Sequence, residues 1–170
     1  MDMQDEAFML EALRLAKAAA EEGEVPVGAV VVRDGRIVGR GRNHRETHKN
    51  ALSHAELEAI NDACKTLGGW RLFDCTLYVT LEPCPMCAGA IINARVQKVI
   101  FGAFDRKAGS VCSVQKMFDL PYNHKPEVIG GYMEQPCAQL LRRFFSDMRR
   151  GIGKAEVNPQ WRERMTERKF

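Results

Sequence analysis

Residues 75–101 read CTLYVTLEPCPMCAGAIINARVQKVIF, and this stretch decides the fold. Cys75 to Leu81 is apolar and rich in β-branched side chains, the pattern of a buried strand. Pro85 suits the first turn of a helix, and the helical pattern then runs to about Arg95. Val96 to Phe101 is a second strand of the same kind. Strand, helix and strand in so short a span favour a parallel pair joined by a crossover helix.

The joint between that strand and helix is chemically loaded. It reads Pro83-Cys84-Pro85-Met86-Cys87, and an earlier string reads His54-Ala55-Glu56. One histidine and two cysteines with a two-residue gap supply three of zinc's usual four ligands, which leaves the fourth tetrahedral position for a water. Cys84 and Cys87, i and i+3 at a helix mouth, can reach one point, and the helix dipole there favours the thiolate that zinc binds. Ser53 followed by Glu56 reads as a capping box, opening a helix that runs to about Thr66 and ends at Gly68-Gly69. On a regular helix i and i+2 point roughly 200° apart. His54 and Glu56 can therefore face one ion only if His54 lies in the irregular start of that helix.

Each residue also has a plainer reading. Glu56 could be no more than the capping carboxylate, and a lone histidine is more often packed than ligating. Two cysteines with a two-residue gap recur in redox pairs and in structural zinc sites, for which Cys75, Cys112, His44 and His48 are available as a fourth ligand. The two strings together, on successive helices with a buried strand between them, favour the open, catalytic site.

The rest of the chain frames this centre. Asp5 to Glu22 carries Phe8, Met9, Ala12, Leu13, Ala16 and Ala19 at helical spacing, with Gly23 to stop it. Val27 to Arg33 and Arg36 to Arg42 flank Asp34-Gly35, a two-residue hairpin turn. Gly102 to His124 is loop-rich, Glu127 to Tyr132 is a last short strand, and Glu134 to Arg150 is an amphipathic helix with Leu140, Leu141, Phe144, Phe145 and Met148 inward. Cys64, Cys75 and Cys137 fall in apolar periodic segments and read as core thiols.

At 170 residues the chain has room for one well-buried domain, expected over 1–150, with a polar tail, expected to be flexible, over 151–170. No apolar run is long enough to span a membrane, and the acidic N-terminus lacks a signal-peptide pattern, so the expected compartment is the cytoplasm. Six cysteines without a secretory context argue for metal or core thiols over disulfides. Net charge is only +3, but residues 134–170 hold nine Lys or Arg against five Asp or Glu. That C-terminal surplus fits either phosphate binding or a solvated helix face.

On these strings the chain resembles the bacterial tRNA-specific adenosine deaminases of the cytidine-deaminase-like superfamily, over about residues 5 to 150. The matching strings include Val25-Pro26-Val27-Gly28-Ala29-Val30, Asn43, Leu81 to Ile91, Phe101-Gly102-Ala103, Asp105 with Lys107 and Gly109, Asn123-His124, and Phe144-Phe145 with Arg149. The resemblance implies an α/β fold, a three-layer α/β/α sandwich around a five-stranded mixed sheet, and a homodimer. It implies one Zn2+ per chain on His54, Cys84 and Cys87, with Glu56 as the proton shuttle. The implied substrate is a tRNA anticodon stem-loop, its wobble adenosine converted to inosine with release of ammonia. Asn43 would hydrogen-bond the purine, while Asp105, Lys107, Phe145 and Arg149 would hold the flanking nucleotides. A free-base or nucleoside deaminase acting on guanine or cytosine would share the zinc strings, and a zinc-stabilised RNA-binding module would need no Glu56. Cys112 stands where the resemblance puts glycine, which leaves open the loop's backbone shape and the thiol's redox inertness.

Overall fold

A computed structural model describes residues 3–152. The helix α1 (Met3–Glu21) leads into strands β1 (Gly28–Arg33) and β2 (Arg36–Arg42), then helix α2 (Ala55–Leu67). Strand β3 (Thr76–Leu81), helix α3 (Pro85–Asn93) and strand β4 (Lys98–Ala103) follow, and then strand β5 (Glu127–Ile129) and helix α4 (Glu134–Arg149). The sheet order is β2-β1-β3-β4-β5. Strand β1 runs antiparallel to β2 and β3, while β3, β4 and β5 run parallel. The β3-α3-β4 unit is thus the parallel crossover that residues 75–101 predict. The Asp34-Gly35 hairpin has both central residues at positive φ, 51° and 70°, as a two-residue turn that follows strand twist requires.

Alternating side chains of the central strands divide into two cores. Ala29, Val31, Leu77, Val79, Val99 and Phe101 pack with Ala55, Ala59, Ala63, Ala88 and Ile91, under α2 and α3. On the other face Val30, Val32, Tyr78 and Ile100 pack with Met9, Ala12, Leu13 and Cys137, under α1 and α4. Helices on both faces make the three-layer α/β/α fold that was expected, and no described helix is long and apolar enough to cross a membrane.

What positions the site is the seating of α2. Ala55, Ala59 and Ala63, four residues apart, form a methyl-sized ridge that is fully buried. Opposite it stand Gly41 and Gly39. A Cβ on Gly41 would lie 2.1 Å from the Ala55 carbonyl, and one on Gly39 would lie 2.3 Å from that of Ala59. Helix and strand therefore touch backbone to backbone, which fixes the height of the α2 N-terminus above the sheet.

Three local expectations are corrected. Ser53 does not cap α2: the N-cap is His54, with no side-chain capping bond, and the Ser53 hydroxyl sits 3.4 Å from His48 Nδ1. The side chains expected inward on α4 are only half-buried, Cys137 alone being buried, because α4 seats on β4 through Cys137 against Gly102 and its other apolar side chains only flank that contact. Cys64 is half-exposed, its thiol donating to the Trp70 carbonyl at 3.8 Å, whereas Cys75 and Cys137 are core thiols. The expected domain boundary and tail fall at the edge of the described residues and largely outside them.

Candidate metal and catalytic site

Two helix starts converge at one end of the sheet. His54 is the N-cap of α2 with extended backbone (φ −85°, ψ 150°), the irregular start that its spacing from Glu56 requires. Cys84 is the N-cap of α3, also extended (φ −72°, ψ 173°), with Pro85 next, and Cys87 falls in the first turn. Strand β3 is parallel to β4 and ends at Leu81, so its C-terminal end delivers both cysteines to the site. His54 Nδ1 lies 3.7 Å from Cys84 Sγ and 3.5 Å from Cys87 Sγ.

The electrostatics suit a metal. A hydrogen bond from the Cys87 thiol, helped by the His54 ring against the opposing effect of burial, brings Cys84 down to about 4. Cys87, as the donor in that bond and itself buried, is pushed up. His54 is raised, first through its bond with Cys84. The cluster thus favours the thiolate at Cys84, the form that a metal ion binds. Among the described residues no fourth His, Cys, Asp or Glu joins this group of potential ligand atoms lying within 4.8 Å of one another. Cys75 lies in the core at the other end of β3, and Cys112 packs in the loop beside Glu82.

Glu56 stands beside this cluster, buried, within hydrogen-bonding reach of the Cys87 thiol. Burial pushes its carboxyl up to about 7, against the lowering effects of its backbone N–H and of His54. A carboxyl that titrates near neutrality can take and return protons with little cost either way.

The other expected residues fall on three elements. Asn43 is buried at the end of β2. Its amide donates to the Val25 carbonyl at 3.3 Å, its oxygen accepts from Arg45 N–H at 3.4 Å, and one N–H and one lone pair remain for a ligand. Asp105 caps its own loop, accepting from Lys107 N–H at 3.0 Å and Ala108 N–H at 3.2 Å, so the loop-cap reading holds whatever else it does. Lys107 is exposed on that loop. Phe145 and Arg149 lie on α4, across the sheet from α2 and α3. The Phe145 ring meets Phe144 edge-on at 5.5 Å, and Arg149 is exposed.

Two buried carboxylates of the site's framework were not singled out from the sequence. Glu82 accepts N–H donors from Asp105 at 3.0 Å, Cys112 at 2.8 Å and Ser113 at 2.8 Å, and also the Ser113 hydroxyl. Burial raises its carboxyl, and these bonds more than offset that, leaving it below the ordinary value. Glu24 accepts from Glu46 N–H at 3.1 Å and from the Thr47 N–H and hydroxyl at 2.7 Å each. One carboxylate thus ties down the 105–113 loop and the other the loop after Asn43. The available signal was Glu82 itself, an acid at the end of a buried strand and next to a metal motif. Cys112 is not among the residues with positive φ, so the loop does not need glycine there, and burial pushes its thiol up, away from reactivity.

This arrangement of helix starts on a mixed sheet is that of the cytidine-deaminase-like class. A family model for MafB19-like deaminases matches residues 3–149. The tRNA-specific adenosine deaminase of Bacillus subtilis (strain 168) is 50% identical over 156 residues, spanning 91% of this chain and 97% of that protein. The equally named protein of Streptococcus pyogenes serotype M1 is 47% identical over 139 residues, 81% of each chain. A solved structure from a study of A-to-I editing by tRNA:A34 deaminases superposes with a TM-score of 0.77 at 44% identity, covering 79% of this chain and 99% of that one. A guanine deaminase of Bacillus subtilis superposes at 0.58 with 32% identity, over 92% and 99%. The chain belongs to the tRNA-specific adenosine deaminase family.

Proposed function

We propose that this chain deaminates the wobble adenosine of a tRNA anticodon loop to inosine, releasing ammonia. The convergence of His54, Cys84 and Cys87 on one point, with a buried Glu56 beside them and no fourth protein ligand among the described residues, carries this reading. The three side chains would hold one Zn2+, which when bound supplies the Lewis acidity that makes a water nucleophilic near neutral pH.

Glu56 does the proton work. It takes a proton from the attacking water as oxygen bonds to carbon 6, and delivers it to ring nitrogen 1. It then carries the second proton to the amine, which leaves as ammonia. Such general acid and base assistance is worth roughly 10²–10⁴-fold. Asn43 orients the purine with its spare donor and acceptor. Asp105, Lys107, Phe145 and Arg149 receive flanking nucleotides, by stacking on the aromatic ring and by charge toward phosphate. The similarity to proteins named for tRNA supports the substrate, and a homodimer would bring a second basic surface to each site.

Ammonia release decides the matter, measured on an anticodon stem-loop, adenosine, guanine and cytosine with the zinc-loaded protein. The expected result is turnover on the stem-loop far above the other three. Preferential turnover of guanine would move the assignment to a free-base deaminase.

A further inference from the structure

The loop between Asn43 and His54 carries a second cluster of ligand-type side chains, separate from the first. His48 N–H donates to the His44 carbonyl at 2.9 Å, closing one helical turn and setting the two imidazoles at i and i+4. Their rings stack with centroids 4.6 Å apart. Glu58, in the first turn of α2, reaches toward both, 2.8 Å from His44 Nδ1 and 3.7 Å from His48 Nδ1. One donor atom from each of the three lies within 4.8 Å of the other two. A histidine pair one turn apart, with a carboxylate from a neighbouring helix, is a donor set for borderline transition ions rather than for Ca2+ or Mg2+.

The surroundings of His44 point the same way. Its other ring nitrogen, Nε2, lies 3.6 Å from Glu22 Oε2, and Glu22 is held in turn by Arg42 at 2.6 Å. Here the ring is paired through Nδ1 with both Glu58 oxygens, at 2.8 and 2.9 Å, and an ion taken between them would leave the ring proton on Nε2, facing the Glu22 carboxylate behind it. His44 is buried to 16% exposure while His48, stacked on it with Nδ1 3.4 Å from the Ser53 hydroxyl, stands 53% exposed, so an ion arriving from solvent meets His48 first.

We propose that His44, His48 and Glu58 form a second transition-metal site, for Zn2+ or Ni2+, with Glu22 as the residue that positions His44. It lacks a thiolate and opens to solvent, so it binds more weakly than His54, Cys84 and Cys87 and exchanges its ion readily. An ion there staples the loop to α2, between Asn43 on one side and His54 on the other, while Glu24 anchors the same loop from the opposite flank.

The test uses the full chain carrying its tightly held zinc, stripped of loosely bound ions by a mild chelator. It is titrated with Zn2+ or Ni2+ by calorimetry, with metal counted per chain by elemental analysis. The expected result is one further equivalent of either ion, recoverable with the mild chelator. H48A and E58Q should each lose that equivalent while keeping the tight zinc, and the exposure of His48 makes its replacement safe for folding. E22Q should retain it with affinity weakened about 10–100-fold, as for other partners behind a ligand. Amide exchange over 44–52 should slow on Ni2+ addition in the wild type and not in H48A. The absence of a further equivalent in the wild type overturns the proposal. So does an equivalent, or an exchange slowing, that survives in both H48A and E58Q. Because every comparison is the difference between wild type and variant, the outcome does not depend on what occupies the first site.

Discussion

Helices α2 and α4 show two ways of attaching a helix to one sheet. Helix α2 lays an alanine ridge directly on glycine backbone and buries Ala55 and Glu56 of its first turn. Helix α4 buries Cys137 alone, leaves its other apolar side chains half-covered and, with the Arg150 that caps its end, presents Arg142, Arg143 and Arg149 to solvent. The first design seats the start of α2 directly on strand backbone, the kind of fixed placement that metal and proton chemistry demands. The second keeps a basic, adaptable surface, which suits a large polyanion. The tightly seated helix and the loosely covered one lie on opposite faces of the sheet.

The contrast predicts where substitutions should be most severe. Glu56→Ala should keep bound metal and fold while turnover falls roughly 10²–10⁴-fold, since on the proposed mechanism it removes only the proton carrier. Metal analysis beside single-turnover rates checks this, and parallel loss of metal would make Glu56 structural instead. Gly41→Ala should destabilise by about 1–3 kcal/mol or more, because the new methyl meets the Ala55 backbone rather than a yielding side chain. Denaturant melts measure it, and an unchanged midpoint would show that α2 can lift.

Glu56 also makes the tight face pH-sensitive. Folding raises its carboxyl from 4.5 to about 7, so the metal-free fold prefers the protonated acid. The stability which that preference gives is complete below about pH 4.5 and is lost as pH rises through about 7, at most about 3 kcal/mol at roughly 1.4 kcal/mol per pH unit. In the metal-free protein, Glu56→Gln should therefore melt progressively higher than wild type between pH 5 and pH 8. A constant gap would mean that water reaches the carboxylate.

Between the two extremes lies the 105–113 loop, held by Glu82. Glu82→Gln replaces one acceptor oxygen with a donor facing N–H groups and should cost about 1–3 kcal/mol. Amide exchange over 105–113 should speed up, with KM rising more than kcat falls. Unchanged exchange would make the loop self-supporting.

The same contrast explains what could be read from the chain alone. The hairpin turn, the β3-α3-β4 crossover and the extended backbone at His54 depend on neighbours in sequence, and their chemistry is local. The apparent cap at Ser53 and Glu56 was also local, yet His54 took the cap position while Glu56 turned into the interior. The register shift between Val31 and Val32, opposite β2, leaves no mark that periodicity can detect. Glu24 and Glu82 act on loops about twenty to thirty residues away, so their role exists only in three dimensions. The periodicity of α4 was visible, but not that Cys137 alone would be buried by the close seating on Gly102.

The smallest effect is expected on the loose face. Phe145 and Arg149 are one turn apart and so share a side of α4, where a ring can stack beside a charge that seeks phosphate. Arg149→Ala should leave metal content and melting unchanged, since the side chain is exposed. Stem-loop affinity should fall modestly, and because each phosphate contact releases counterions, the slope of log affinity against log salt should become shallower by about one unit. Affinities measured over a range of salt concentrations for wild type and variant provide the comparison. Identical slopes would remove Arg149 from the RNA contact surface and leave α4 a helix whose only duty is to cover the sheet.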